Sequence, residues 1–232
     1  MPTLLEELDE MLDCTDAARQ IELRHQLTRK CRAHEDALAR WRTEVGVPDP
    51  EYRINGALPP SMQLLAACYL ICLYWSICIL LYSTLRIASG PDPELLSQTD
   101  PMPYCRRIAE AVAVLLHPAS GVYGMHLANF PTALALSYLH AVDGSHISIE
   151  KRMFLDAFNG PGHGTTVNRF VHSTQQSAAK SSRRAVPGTP NVPEAQARAW
   201  FVRKWVVLEV TRNRGFVRGG HSHVMARHNP QR

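Results

Sequence analysis

Residues 62–85 form an unbroken stretch of twenty-four amino acids without a single formal charge, and Arg86 follows it directly. A membrane-spanning helix needs about 20 predominantly apolar residues, so this stretch is long enough to cross a bilayer. The fully buried central helix of an all-α domain is apolar on every side as well. Which of the two structures the stretch forms decides how the rest of the chain is interpreted.

Aromatic and polar residues within this stretch favour a buried helix. Membrane helices gather Trp and Tyr at their two ends, whereas here they are spread along the length with amide and hydroxyl side chains: Gln63, Tyr69, Tyr74, Trp75, Ser76, Tyr82, Ser83 and Thr84. The flanks carry little positive charge. We therefore predict a buried core helix over about 61–88, capped by Ser61, and expect Leu73→Asp or Ile77→Asp to unfold the domain. A single membrane span over 62–85 is the alternative.

We predict charged N-terminal helices over residues 1–46. Residues 3–45 contain no Pro or Gly and are rich in Leu, Glu, Arg and Ala, a composition that favours helix. Six residues recur at steps of four and three, the period of a helix with one packed face: Leu27, Cys31, His34, Leu38, Trp41 and Val45. A helix packed on its own domain explains this period. Contact with a partner protein or a second copy through Leu27, Cys31, Leu38 and Trp41 is the alternative.

Turn signals divide the remaining body into further helices. Asp100 can cap a helix over residues 101–116, and a helix over 122–142 contains Pro131, which predicts a kink or a break. Two more helices are predicted over 147–158 and about 165–175. The residues expected to face inward are Ile108, Val112, Leu115 and Leu116 in the first of these helices, and Ile149, Met153, Phe154 and Phe158 in the third.

No period-two strand pattern occurs in this body, so the predicted fold class is all-α. We predict a single helical domain over 61–176 around the buried apolar helix. Residues 177–232 form a basic linker and tail, for which we predict poor structure because the linker is rich in Lys, Arg, Ser and Pro.

Charge divides the chain into an acidic body and a basic tail. Residues 176–232 hold eleven Lys or Arg and two acids, while residues 1–175 hold fourteen Lys or Arg and nineteen acids. This asymmetry indicates a nuclear or nucleic-acid setting or a poorly folded surface extension, and the basic cluster at 180–184 can be read as a nuclear address. We predict a nuclear location, with a cytoplasmic one as the alternative. The six cysteines include no C-x-x-C pair, and no signal peptide is apparent, so we expect reduced and mostly buried thiols.

None of the motifs that carry known chemistry is complete. Gly160, Gly162 and Gly164 alternate in a loop, but no strand precedes them and no Lys follows them, so a tight turn explains them better than a phosphate site. His221, His223 and His228 lack supporting metal ligands. We predict no catalytic, cofactor-binding or metal-binding residues and no enzyme. A small helical pathway protein that depends on His126 or His140 is kept as an alternative.

The order of short motifs resembles the C-terminal, all-helical regulatory region of fungal zinc-cluster transcription factors. An apolar helix ends in Leu85-Arg86, and the next one contains Pro-Tyr-Cys-Arg-Arg-Ile at 103–108. Gly-Val-Tyr-Gly at 121–124 then precedes a helix with Phe130-Pro131. A late helix with Lys151-Arg152 and the glycine loop leading into Arg169-Phe170 follow. The resemblance covers residues 35–176.

The chain departs from this family at the DNA-binding module. Such factors carry an N-terminal cluster of six cysteines that holds two zinc ions, and the C-x-x-C-x6-C spacing of that cluster does not occur here. The resemblance implies a nuclear transcription regulator of a fungal secondary-metabolite pathway. It also implies that this chain does not read DNA by itself and acts with a protein partner.

Overall fold

The computed structural model describes residues 2–46, 59–90, 98–143 and 146–158, which form six α-helices and no β-strand. The all-α class predicted from the sequence is confirmed. The helices are α1 (Pro2–Asp13), α2 (Ala17–Val45), α3 (Met62–Ser89), α4 (Met102–Leu115), α5 (Gly121–Asp143) and α6 (Ile149–Phe158). The predictions for the glycine loop at 160–164, for a helix over 165–175 and for the tail at 177–232 lie outside the described residues.

The apolar helix α3 begins and ends where its local sequence predicts. The Ser61 hydroxyl oxygen accepts a hydrogen bond from the Leu64 backbone N–H at 3.1 Å, which satisfies one free donor of the first turn. At the other end, Gly90 has a φ of +79°, and its N–H donates to the Arg86 carbonyl at 3.2 Å. Glycine adopts this φ without the steric cost of a Cβ atom.

Two groups of buried side chains pack on different faces of α3. The first core joins α3 to α4, α5 and α6, and its α3 members are Leu65, Cys68, Ile71, Cys72, Trp75, Ile79 and Leu80. The second core joins the C-terminal part of α3 to α1 and α2, and its members are Leu4, Leu8, Met11, Leu23, Leu27, Cys31, Leu81, Leu85 and Ala88. Burial of each large apolar side chain contributes about 1.5–3 kcal/mol to the free energy of unfolding. Because α3 supplies side chains to both groups, both cores depend on this one helix.

A third face of α3 is left open by the described residues. Met62, Ala66 and Leu70 are exposed on it, while Tyr69, Leu73 and Ile77 are half-buried. We call these six residues the α3 strip; their spacing of three and four places them along one side of the helix. The sequence-based choice of Leu73 and Ile77 as central core residues is corrected here, because the fully buried positions are Ile71 and Ile79.

Burial within the fold bears on the choice between membrane span and core helix. By length and composition α3 could cross a membrane, yet 56% of its most apolar 18-residue window is buried inside the structure. The central helix of a folded domain passes the same length and composition test. The cores on two faces of α3 agree with the core-helix prediction.

The N-terminal segment is divided into two helices at a point that no Pro or Gly marks. Asp16 caps α2, since its Oδ1 accepts hydrogen bonds from the backbone N–H groups of Ala18 at 2.9 Å and Arg19 at 3.4 Å. This cap lets α1 fold back onto α2 and bury its leucines in the second core. At its other end α2 stops at Gly46, which has a φ of +60°.

Helix α4 has the inward face predicted from the sequence, and Asp100 lies one residue before its N-cap, which is Pro101. The Asp100 carboxylate accepts a hydrogen bond from the Met102 N–H at 3.1 Å. The predicted face is buried throughout: Ile108, Val112, Leu115 and Leu116. The helix ends just before His117-Pro118, because a residue that precedes proline is displaced from the α region.

Helix α5 runs through Pro131 as one helix, so of the kink or break predicted there the break does not occur. Proline removes one backbone donor, which usually destabilises a helix interior. Here residues 131–135 are all buried, so tertiary packing of the proline and the turn that follows it holds the helix together. Packing of α5 against α3 and α4 overrides the local cost.

Helix α6 presents only part of its predicted inward face to the core. Phe154 and Phe158 are buried and Met153 is half-buried, but Ile149 is 70% exposed, so its inward assignment was wrong. Ile149 is the first residue of the helix and lies beyond the edge of the first core. Lys151 is the buried residue of that first turn, where its Nζ donates to the His146 carbonyl at 2.8 Å.

Replacing Ile79 with Asp tests which side of α3 forms the core. Ile79 is 1% exposed, and a carboxylate there would have neither water nor a counter-ion. We expect Ile79→Asp to lower the free energy of unfolding by about 4 kcal/mol or more, against about 1–2 kcal/mol for Ile77→Asp on the α3 strip. Urea unfolding followed by circular dichroism measures both, and equal losses would contradict the assignment of the two faces.

Gly124→Ala should destabilise the protein, although alanine normally improves a helix interior by about 1 kcal/mol relative to glycine. A Cβ atom at Gly124 would collide with the Leu115 carbonyl oxygen and lie 2.7 Å from the Ser120 Cβ. Because of this overpacking, we expect the free energy of unfolding to fall by about 1–3 kcal/mol.

Gly46→Ala is the matched control, since nothing lies within 4 Å of its Cβ position and only the positive φ is penalised. Its expected loss is about 1–2 kcal/mol. Thermal unfolding of both variants checks the pair. A higher midpoint for Gly124→Ala than for the unchanged protein would contradict the close approach of α5 to the end of α4.

Candidate functional site

The periodic residues of α2 divide into a buried half and a surface half. Leu27 and Cys31 are 1% and 0% exposed because α1 and α3 of the same chain cover them. Leu38 and Trp41 are half-buried, and His34 and Val45 are exposed. Of the four residues predicted to contact a partner, only Leu38 and Trp41 therefore reach the surface of this structure.

Beyond Cys31, α2 meets α3 and α4 through aromatic and polar side chains instead of aliphatic ones. We call this group the aromatic seam; it consists of Glu35, Trp41 and Arg42 on α2, Tyr74, Cys78 and Tyr82 on α3, and Tyr104 on α4. Tyr74, Cys78 and Tyr82 lie four residues apart, which places them on one face of α3. All but Cys78 are half-buried, so the seam borders on solvent.

Two stacked pairs give the seam its geometry. The rings of Trp41 and Tyr74 lie 6.1 Å apart at an interplanar angle of 13°, and the guanidinium of Arg42 lies 5.0 Å from the centre of the Tyr74 ring. The rings of Tyr82 and Tyr104 lie 5.7 Å apart at 22°. Aromatic pairs of this kind contribute about 0.5–1.5 kcal/mol beyond the area they bury.

One hydrogen bond of the seam joins α3 to α2. The Tyr82 hydroxyl donates to the Glu35 carboxylate at 2.9 Å, and Glu35 also pairs with Arg32 at 2.7 Å. The stacked ring of Tyr104 extends the seam to α4, and the Arg42 guanidinium over the Tyr74 ring ends it on the other side. The seam thus has a carboxylate and a guanidinium of the same helix α2 at its two ends.

The phenols and the thiol of the seam are protonated at neutral pH. Burial raises the pKa of Tyr82, and its hydrogen bond to Glu35 raises it further. Burial likewise raises the pKa of Tyr74 and Tyr104, and it raises the pKa of Cys78 to about 12. The seam therefore offers neutral hydrogen-bond groups and aromatic rings between acidic and basic ends. Trp, Tyr and Arg dominate the energy of many protein–protein interfaces.

The five buried cysteines have no reactive environment. All six are free, and five are buried: Cys31, Cys68, Cys72, Cys78 and Cys105. Burial raises the pKa of Cys31 and of Cys68 to about 11. A protonated, buried thiol is a poor nucleophile and a poor metal ligand. Among the described residues, no group of three or more His, Cys, Asp or Glu side chains is placed to hold a metal ion.

The two histidines of the alternative enzyme hypothesis do not converge. His126 is exposed and His140 is half-buried, and fourteen residues of α5 separate them, about 21 Å along the helix axis. Burial, and then the nearby Lys151, lower the pKa of His140. Lys151 lies 3.8 Å from the Asp143 carboxylate and serves to attach α6 to the end of α5.

Residues of the family-like motifs divide between packing contacts and the surface, where Val122 and Tyr123 are exposed. Arg86 approaches the Tyr138 hydroxyl at 3.4 Å and the Asp100 carboxylate at 3.8 Å, so it connects α3, α5 and the cap of α4. Tyr104 belongs to the aromatic seam.

No protein-family model, curated protein or solved structure matches this chain.

Of the aromatic seam, only Trp41 belongs to the contact predicted from the sequence; the other six members were not predicted. The available signal was the spacing of Tyr74, Cys78 and Tyr82, which lies within the apolar stretch and indicates a polar face. Tyr104 and Glu35 join this face only through the tertiary fold, and no local pattern pairs them with it.

Tyr82→Phe tests the hydrogen bond that links α3 to α2. It removes the donor to Glu35 and leaves a partly buried carboxylate less satisfied, so we expect a loss of about 1–2 kcal/mol in the free energy of unfolding. Tyr123→Phe is the control; Tyr123 is 54% exposed, and its expected change is within about 0.5 kcal/mol. Urea unfolding at pH 7 measures both.

The difference in free energy of unfolding between wild type and Tyr82→Phe should also depend on pH. The pKa of Tyr82 is raised in the folded state. The contribution of this phenol to stability is therefore fully present below the unfolded pKa of about 10 and is lost as the pH rises through the folded pKa. The difference should be constant from pH 7 to 9 and shrink above pH 10. A constant difference up to pH 11 would contradict the burial of this phenol.

Proposed function

We propose that this chain is the helical regulatory part of a fungal-type transcription regulator. It acts in the nucleus on genes of a secondary-metabolite pathway, through contact with another protein. The observation that carries the proposal is the order of motifs by which residues 35–176 resemble the regulatory region of zinc-cluster factors.

The positions of the helices support this proposal. Leu85-Arg86 lies in the last turns of α3, and residues 103–108 lie in α4. The glycines of residues 121–124 lie in the first turn of α5, which continues through Phe130-Pro131, and Lys151-Arg152 lies in α6. The resemblance implies a turn at residues 121–124 before the helix, and there the chain differs because α5 begins at Gly121; the other described motifs lie in helices, as the resemblance implies.

The aromatic seam supports a protein partner over a small substrate. It combines Trp41, Arg42 and three tyrosines at the surface, and these residue types contribute most to protein–protein binding. Its thiol and phenols are protonated and therefore unsuited to nucleophilic catalysis at neutral pH. The proposal assigns DNA binding to the partner and assigns no catalytic residue to this chain.

A reporter experiment tests the regulatory role. Transcription of the genes neighbouring the one that encodes this chain is measured after its deletion and after its overexpression, with unlinked housekeeping genes as the reference. We expect opposite changes of at least several-fold under the two conditions. Unchanged transcription in both would end the proposal.

Leu38→Lys tests the surface half of α2 as the contact. Leu38 is half-buried on α2 between Glu35 and Arg42 of the seam, and a lysine there adds a charge at the proposed contact. We expect the reporter response to fall at least tenfold. Association of the chain with a second copy or with a partner protein, measured by sedimentation, should fall by the same factor, while the circular dichroism spectrum is retained. Ile21→Lys is the control, since Ile21 is 56% exposed on the same helix but outside the seam. An equal effect of both substitutions would contradict a specific contact.

A membrane anchor is the second candidate, and the apolar length of α3 is the observation that favours it. In that case the protein remains in the pellet after an alkaline carbonate wash. Extraction into the supernatant as a monodisperse species removes this candidate.

A further inference from the structure

The α3 strip is an apolar surface that the described residues leave open. Met62 is 63% exposed and Leu70 is 38% exposed, and Ala66 lies between them. Leu73 and Ile77 extend the strip toward the middle of the helix, and no charged residue occurs on α3 before Arg86. Such a continuous apolar surface on a folded domain marks a place where another apolar group binds.

The chain itself contains a matching apolar segment beyond α6. Residues 200–210 read WFVRKWVVLEV, in which eight of eleven residues are apolar and two are tryptophans. Tryptophan and phenylalanine have the largest apolar surfaces of the common side chains, and their burial is favoured correspondingly. Side chains of this composition gain free energy when another apolar surface covers them, although basic residues surround the segment.

Length and charge allow this segment to reach the strip. Forty-one residues separate Phe158, where α6 ends, from Trp200. At about 3.3 Å per extended residue they can span roughly 135 Å, while α3 with its 28 residues is about 42 Å long. Residues 176–232 are strongly basic and residues 1–175 are acidic, so long-range attraction favours docking within the chain.

We propose that residues 200–210 bind along the α3 strip of the same chain and cover it. Trp200, Phe201 and Trp205 provide the apolar contacts, and the neutral strip places no charge against Arg203 or Lys204. The contact closes the third face of α3, so that the central helix is covered on every side. It is separate from the aromatic seam, and so from the partner contact proposed above.

Photo-crosslinking of the full chain tests this contact. p-Benzoylphenylalanine in place of Leu70 reports which peptide lies against the strip after illumination and mass spectrometry, and the same label in place of Ile21 on α2 is the control. We expect cross-links from position 70 into residues 198–211 at several-fold higher yield than from position 21.

Two further measurements make the outcome decisive. Trp200→Ser with Trp205→Ser should reduce the yield from position 70 at least fivefold, whereas Phe216→Ser, in the same tail but outside the segment, should leave it unchanged. A mixture of isotopically light and heavy chains separates contacts within one chain from contacts between copies. Cross-links from position 70 only to the α3 peptide of a second copy, or to no peptide of residues 198–211, overturn the proposal.

Discussion

A helix that is apolar on every side can exist in water only if other elements cover it, and α3 imposes this requirement on the whole molecule. Its C-terminal part is held by α1 and α2, while α4, α5 and α6 cover another face. The two cores have no residue in common, and α3 contributes side chains to both, so the helices on one side are coupled to those on the other through α3. Folding of either group separately would leave part of α3 in water, which favours one cooperative unit.

The aromatic seam differs from both cores in the kind of specificity it provides. Aliphatic packing tolerates changes of register, whereas a hydrogen bond such as that between Tyr82 and Glu35 is satisfied in one alignment only. The seam thus fixes the rotation of α2 about its own axis relative to α3. That rotation determines which residues of α2, Leu38 among them, face outward.

Local chemistry decided which features were predictable. Ser61 caps α3, and Asp100 accepts a hydrogen bond from the first residue of α4; such contacts involve only neighbouring residues, so both boundaries could be predicted. The exposure of Ile149 and the unbroken helix at Pro131 depend on where distant helices end, which no single window of sequence contains. The candidate site was predicted only on α2, because its α3 and α4 members meet through tertiary structure.

The five buried thiols affect the behaviour of the chain once it unfolds. In the folded state Cys31, Cys68, Cys72, Cys78 and Cys105 are shielded from oxidants and alkylating reagents alike. Global opening exposes all of them together, near their ordinary pKa, and in an oxidising medium they can form mispaired disulfides within and between chains. Unfolding would then become irreversible, so the lifetime of the protein outside a reducing compartment is set by its rate of unfolding and not by its equilibrium stability.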